Sequence, residues 1–233
     1  MAEINSLPLK TDPNLTSYYR FESNSNDAAG GINGTDTNVS YALTYGQFGQ
    51  GAYFNGAAYI NLGNHNNLNH DFSISCWIKV SSSSNRQTII SKGTGSHYQW
   101  EFIVDGSTNF IRLRLYQAGG SDYLVCSGVT TVNDNKWHLV TATYNYTTHQ
   151  AYVYVDGNQD GSTSSTSGTY DSSDSASCWI GGRATSSNYW NGNLDDLAIF
   201  GRALSNAEVL SIYVAGASGA GILFNLASNW KNN

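Results

Sequence analysis

Asp195 and Asp196 are adjacent carboxylates in an alternating run, Asn193–Phe200, with no basic neighbour before Arg202. Successive strand residues point to opposite faces. The pair therefore predicts one carboxylate that is buried or bound to a cation and one that is solvated. A second oxygen-rich segment, Glu22–Gly34, offers Glu22, Asn24, Asn26, Asp27 and Asn33 among glycines that let backbone carbonyls turn inward. Ca²⁺ takes about six to eight such oxygen ligands. No linear EF-hand loop is present, so a calcium site has to draw on carboxylates distant in sequence. The competing reading has Asp27 capping an Asx-turn and Asp195 accepting hydrogen bonds from a neighbouring loop. Zinc is not indicated: His65 and His70 lie in an Asn-rich loop, and there is no C-x-x-C or H-E-x-x-H.

Carboxylate spacing also bears on catalysis. Retaining glycoside hydrolysis needs two carboxyl groups about 5–5.5 Å apart, and inverting hydrolysis about 6.5–9.5 Å. Glu101 and Asp105 share a run with apolar Ile103 between them, and strand rise separates them by about 13 Å. There is no G-x-S-x-G, no evident His/Asp arrangement and no phosphate-cradling glycine loop. The chain is therefore predicted not to be an enzyme.

Binding residues are easier to find. Tyr98 and Trp100 stand two apart, as do Arg112, Arg114 and Tyr116, so each set is placed on one side of its strand, and the two sets are read as sharing one sheet face. Arg183, Asn188, Tyr189 and Trp190 form a second cluster on the loop before the last strand, and loops on a rigid scaffold often carry function. Aromatic rings of this kind give rigid amphipathic contact surface for sugars, and planar polar groups read the hydroxyls. The competing readings pack Trp100 and Trp190 in the core or rim and leave Arg112 and Arg114 on a solvated face. Trp137 and Trp179, inside apolar runs, are assigned to the core. Trp77 is either exposed or covered by another element.

The elements that must position these residues are strands. Period-two alternation recurs along the chain, most cleanly in Phe72–Val80, where Phe72, Ile74, Cys76, Ile78 and Val80 share a face. Ala52–Phe54 and Tyr59–Leu62 flank Asn55-Gly56 and read as a hairpin. Gly161–Ser175 reads as a solvated loop. Ser205-x-x-Glu208 is a capping box that opens a short helix after the last strand. With 24 glycines, two prolines and only 12% charged residues in 233, about half the usual charged share, the chain predicts one all-β domain with a neutral-polar surface. A net charge of −6 with scattered basic residues argues against nucleic acid. No apolar run reaches the roughly 20 residues of a membrane span, and the N-terminal MAEINSLPLK lacks the apolar core of a signal peptide. Three cysteines exclude a complete disulfide framework. Cys76, Cys126 and Cys178 read as buried thiols, with one bridge between two of them left open.

Taken in order, YYRFESNSNDAAGGINGT, GQFGQGAYFNGAAYINLG, DFSISCWIKV, TIISKG, KWHLVTATYN, AYVYVDG, IGGR and NGNLDDLAIFGRALSNAEVLSIY resemble the laminin G-like jelly roll of the concanavalin A-like lectin/glucanase superfamily. The resemblance implies an antiparallel jelly-roll β-sandwich of two packed sheets, one of them concave, with a short C-terminal helix. It places a domain at 15–214, between an N-terminal extension (1–14) and a C-terminal tail (215–233) that either packs back or meets a partner. It also implies a Ca²⁺ ion joining the first loop to the last strand through Asp27 and Asp195, with Glu22 and Asn33 as further candidates. The expected function is a non-catalytic, lectin-like carbohydrate-binding module with a calcium-stabilised fold. The alternative is a structural or protein-binding module without a sugar site. Expected partners are a glycan or an extracellular protein. The expected setting is extracellular, cell-surface or virion-associated, as part of a larger multidomain protein.

Overall fold

The computed structural model describes residues 12–65, 68–81, 84–94, 97–117, 120–164, 170, 176–183 and 188–217. The predicted tail beyond 217 lies outside the described residues. The chain forms β1 (Leu15–Tyr19), β2 (Thr35–Thr37), β3 (Ser40–Ala42), β4 (Gly51–Asn55), β5 (Tyr59–Asn61), β6 (Phe72–Val80), β7 (Gln87–Thr94) and β8 (His97–Val104). It continues with β9 (Phe110–Tyr116), β10 (Asp122–Thr131), β11 (Trp137–Asn145), β12 (Gln150–Val155), β13 (Asn158–Ser164), β14 (Cys178–Ile180), β15 (Asn191–Phe200) and one helix, α1 (Asn206–Ala215).

The strands make two antiparallel sheets. One has eight strands in the order β13-β12-β11-β6-β15-β4-β3, with β1 added on β15; the other has seven, β10-β9-β8-β7-β14-β5-β2. Between them lies the main core. Phe72, Ile74, Cys76, Ile78 and Val80 of β6 all enter it, as their alternation predicts, together with Trp100, Phe102, Leu113, Leu115 and Trp190. Cys76, Cys126 and Cys178 are buried and free, so no bridge forms.

Two sequence expectations fail here. β4 and β5 do not form a hairpin: β4 pairs with β15 and β3, whereas β5 pairs with β14 and β2. Asn55-Gly56 turns the chain from one sheet to the other, and both Phe54 and Ile60 reach the shared core. The predicted loop at 161–175 begins as strand, because β13 runs to Ser164 along β12.

The capping box forms as read: Glu208 N donates to Ser205 Oγ (3.4 Å) and Ser205 N to Glu208 Oε2 (2.8 Å). Thus α1 starts where the sequence places it and lies on the outer face of the eight-stranded sheet. There Val209 and Ile212 join Tyr18, Trp77, Leu139 and Tyr154 in a second, smaller core. Trp77 is one of the residues this helix covers, stacked on Tyr213 at 6.0 Å and edge-on to Phe48 at 5.6 Å. Among the described residues no helix covers the outer face of the seven-stranded sheet.

Candidate functional site

On that seven-stranded sheet one row of residues stays in register across every strand: Val125, Arg114, Glu101, Ser91, Trp179, Asn61 and Thr35. The row lies on the face opposite the core, because its neighbours Trp100, Phe102, Leu113, Leu115, Cys178 and Ile180 all point inward. Alternation in each strand then carries Arg112 and Tyr116 to the outer face beside Arg114.

Glu101 is the centre of this face. Its side chain has no exposed surface, and three guanidinium groups converge on it. Arg86 Nη1 and Arg114 Nη1 each donate to Oε1 at 3.1 Å, and Arg183 Nε lies 3.2 Å from Oε2. The Tyr116 hydroxyl donates to Oε1 as well. Burial first, and then the charge of Glu101, push the Tyr116 phenol well above its ordinary range. It is therefore a neutral donor at physiological pH. Arg114 also holds Asp122 at 2.7 Å, and Arg112 pairs with Asp105 at 2.8 Å. A buried carboxylate is tolerable only when so compensated.

The two clusters read from the sequence meet on this face. Gly181, at φ +76°, makes a left-handed turn in which an added Cβ would strike the Phe54 ring at 2.3 Å. Two residues later Arg183 lies over the Tyr98 ring, its Cζ 3.6 Å from the centroid, and Tyr98 packs beside Tyr116 at 5.7 Å. Beyond Gly182 the face continues as a run of rings: Trp179 stacks on Tyr59 at 4.0 Å, and Tyr59 lies 6.2 Å from Tyr189. All three rings are partly exposed.

Several assignments change. Trp100 and Trp190 are fully buried in the main core and do not line this face. Tyr98 and Trp100 part company because β8 carries a bulge: Lys92 pairs with Trp100 and Gly93 with Tyr98, leaving Gln99 as the extra residue. Trp179, assigned to the core, instead stands on the outer face. The signal was in its neighbours, since Cys178 and Ile180 face inward and a residue between them must face out. Tyr59, outside Ile60, carries the same signal. Glu101, a charge between the inward-facing Trp100 and Phe102, carries the same outward signal.

The acidic residues proposed for calcium divide between two places. Asp27 Oδ1 accepts from Tyr18 N (2.8 Å) and from Ala29 N (2.9 Å), an Asx-turn, while Asn33 Oδ1 accepts from Asp27 N. Ala28 N donates to Tyr18 O, so this loop occupies the edge of β1 that faces away from β15. Asp195 sits in β15, on the other side of β1. β1 thus lies between the two backbones, and each carboxylate is engaged by main-chain N–H groups of its own surroundings. Asp195 Oδ2 accepts from Gln47 N and Phe48 N at 2.8 and 2.9 Å, and Glu22 Oε2 from Gln50 N at 3.1 Å.

Nor is either member of the aspartate pair solvated: Asp195 is 0% and Asp196 5% exposed. A register shift between Asp195 and Ala198, with Asp196 at φ +49°, breaks the alternation that would have separated them. The Tyr18 hydroxyl donates to Asp196. Asp195 Oδ1 and Asp27 Oδ2 are buried with no hydrogen-bond partner among the described residues. Burial raises the pKa of both Asp195 and Asp196, and the neighbouring charge of Asp196 raises Asp195 further. Among the described residues no three His, Cys, Asp or Glu side chains converge as a metal-ligand set.

Residues 54–210 match the family model described as the concanavalin A-like lectin/glucanases superfamily. The chain belongs to that superfamily. Its laminin G-like sandwich is similar in fold to domain 4 of the extracellular arabinanase AbnA from Geobacillus stearothermophilus, solved in complex with arabinotriose. That match has 20% identity and a TM-score of 0.65 and covers 84% of this chain and 96% of that one. It is also similar to the binding domain of botulinum neurotoxin DC in complex with SialylT (17% identity, TM-score 0.65, 88% of this chain and 52% of that one). A third similar structure is the Trypanosoma rangeli sialidase (16%, 0.65, 89% and 33%). The laminin G-like domain thus spans about half of the toxin chain and a third of the sialidase. No curated protein sequence matches it.

Proposed function

We propose that this laminin G-like domain is a non-catalytic carbohydrate-binding module whose glycan lies on the outer face of the seven-stranded sheet. The observation that carries the reading is the junction of Arg183 with Tyr98, which joins the arginine–carboxylate network around Glu101 to the Tyr59–Trp179–Tyr189 rings on one surface. Sugar rings stack on such rings, and the guanidinium and phenol donors face their hydroxyls or a carboxylate. Structurally similar domains that were solved with arabinotriose and with SialylT support the same reading. The face is built to hold rather than to react. Glu101 is engaged by three arginines, and Asp195 and Asp196 are buried in the other sheet. The module acts outside the cell, on a cell surface or on a virion, as part of a larger protein. No helix among the described residues is long and apolar enough to cross a membrane.

Calcium belongs to the same proposal, centred on Asp195 with its neighbour Asp196 rather than on Asp195 with Asp27. The orphaned Asp195 Oδ1 and the adjacent Asp196 carboxylate, both desolvated, are the oxygens that fit a hard cation. The ion's contribution would be charge neutralisation and the locking of β15 to the Gln47-Phe48 loop, and it takes no part in sugar recognition. A glycan array run with calcium and with chelator tests the function. Binding to one glycan class in both arms is expected. A blank array in both arms with folded protein would leave the structural or protein-binding reading in its place.

A further inference from the structure

On the opposite sheet, clear of the face described above, the outer surface of β11, β12 and β13 meets the start of α1 in a groove of about 380 Å³. Its floor is set by cross-strand pairing: Thr143 opposes Tyr152, Asn145 opposes Gln150, and Tyr154 opposes Gln159. The Tyr154 hydroxyl donates to Asn206 Oδ1 at 2.6 Å, which fixes the helix start as one wall. That bond leaves Asn206 Nδ2 as a donor. Gln150 Nε2 donates to Thr163 O at 2.8 Å, which leaves its Oε1 as an acceptor. Among the described residues neither of these atoms, nor the amide of Gln159, has a protein partner. The Tyr152 ring is half-buried beside them.

We infer that this groove is a second binding site, for a neutral mono- or disaccharide. Its volume lies at the lower end of the roughly 300–1,000 Å³ of small-ligand sites. None of its lining side chains is charged, so an ionic ligand would be desolvated there without a counter-charge. What the groove presents is amide donors and acceptors, threonine hydroxyls and one aromatic face, the complement of sugar hydroxyls on an apolar ring. The inference stands whether or not the arginine-bearing face binds glycan, because the two surfaces lie on different sheets.

The test is a nitrogen-15 NMR titration of the whole chain with maltose, lactose, arabinotriose and N-acetylneuraminic acid, each to about 20 mM. The side-chain amides of Asn206, Gln150 and Gln159 report on the groove, and the Trp179 indole reports on the other face. At least one neutral sugar is expected to move the groove amides saturably. Gln159→Ala and Tyr152→Ala are each expected to weaken that binding about fivefold or more. Groove amides that stay still with every neutral sugar, shifts that rise linearly without saturating, response to N-acetylneuraminic acid alone, or unchanged affinity in both variants would overturn the assignment. A shift confined to the Trp179 indole would support the other face and likewise overturn this one.

Discussion

The guanidinium of Arg183 lies over the ring of Tyr98, 3.6 Å from its centroid, and its Nε lies 3.2 Å from the buried Glu101. One side chain thereby links the loop before the last strand to the middle of the seven-stranded sheet. Replacing Arg183 with Ala removes both the stack and a third of the cation shell around Glu101. The expected cost is about 1–2 kcal/mol of stability and about tenfold in glycan affinity. Arg183→Lys should recover stability better than affinity, because an ammonium restores charge without the planar stack. Urea unfolding and calorimetric titration of the same preparations separate the two effects.

Glu101 is predicted to matter to the fold more than any exposed acid. Glu101→Gln leaves Arg86, Arg114 and Arg183 facing one another with no carboxylate between them. Breaking a buried pair in this way costs about 3 kcal/mol, the low end of the usual range, because the arginines keep some solvent contact. A chemical-denaturation midpoint that matched the wild type would mean that the cluster is held by its strands alone.

The aspartate pair gives a pH dependence of unusual sign. Carboxylates whose pKa is raised by folding bind protons that the unfolded chain has released. Stability in chelator should therefore fall as pH rises from the ordinary carboxylate range, near 4, up through neutrality. Asp195→Asn keeps an acceptor for Gln47 N and Phe48 N and should flatten that slope. Thermal melts from pH 4 to 8 check it; a slope that survives the substitution would assign the effect elsewhere.

Calcium should raise the melting temperature most at the high-pH end, where the pair is ionised and repels itself. That gain should vanish in Asp195→Asn and persist in Asp27→Asn, since β1 separates Asp27 from the pair. Equal melting temperatures with calcium and with chelator across the whole range would remove the ion from the account.

Much of the scaffold was legible because alternation is a local property. β6 announces its core face residue by residue, and Ser205 with Glu208 marks the helix start. The failures occur where local and global signals separate. Asn55-Gly56 specifies a turn but not which sheet receives the next strand. The bulges at Gln99 and at Asp196 each shift the alternation by one residue, so strict period two places Trp100 on the outer face and Asp195 and Asp196 on opposite faces. Trp179 and Trp190 exchanged places for a related reason. An indole in an apolar run, such as Trp179, fits either a core or an open platform, and only the facing of Cys178 and Ile180 distinguishes them, whereas the polar neighbours of Trp190 read as an open loop although its ring enters the core. The meeting of Arg183 with Tyr98 joins residues more than eighty positions apart, and no spacing rule reports such a contact.

The most direct test of the carbohydrate-binding face is the affinity of the strongest array glycan for Tyr98→Ala and Trp179→Ala, beside the wild type, with circular dichroism confirming the fold. Each ring is expected to contribute about 1–2 kcal/mol, about tenfold in Kd, with no loss of β-sheet signal. Wild-type affinity in both variants would contradict the account and move the glycan off the seven-stranded sheet.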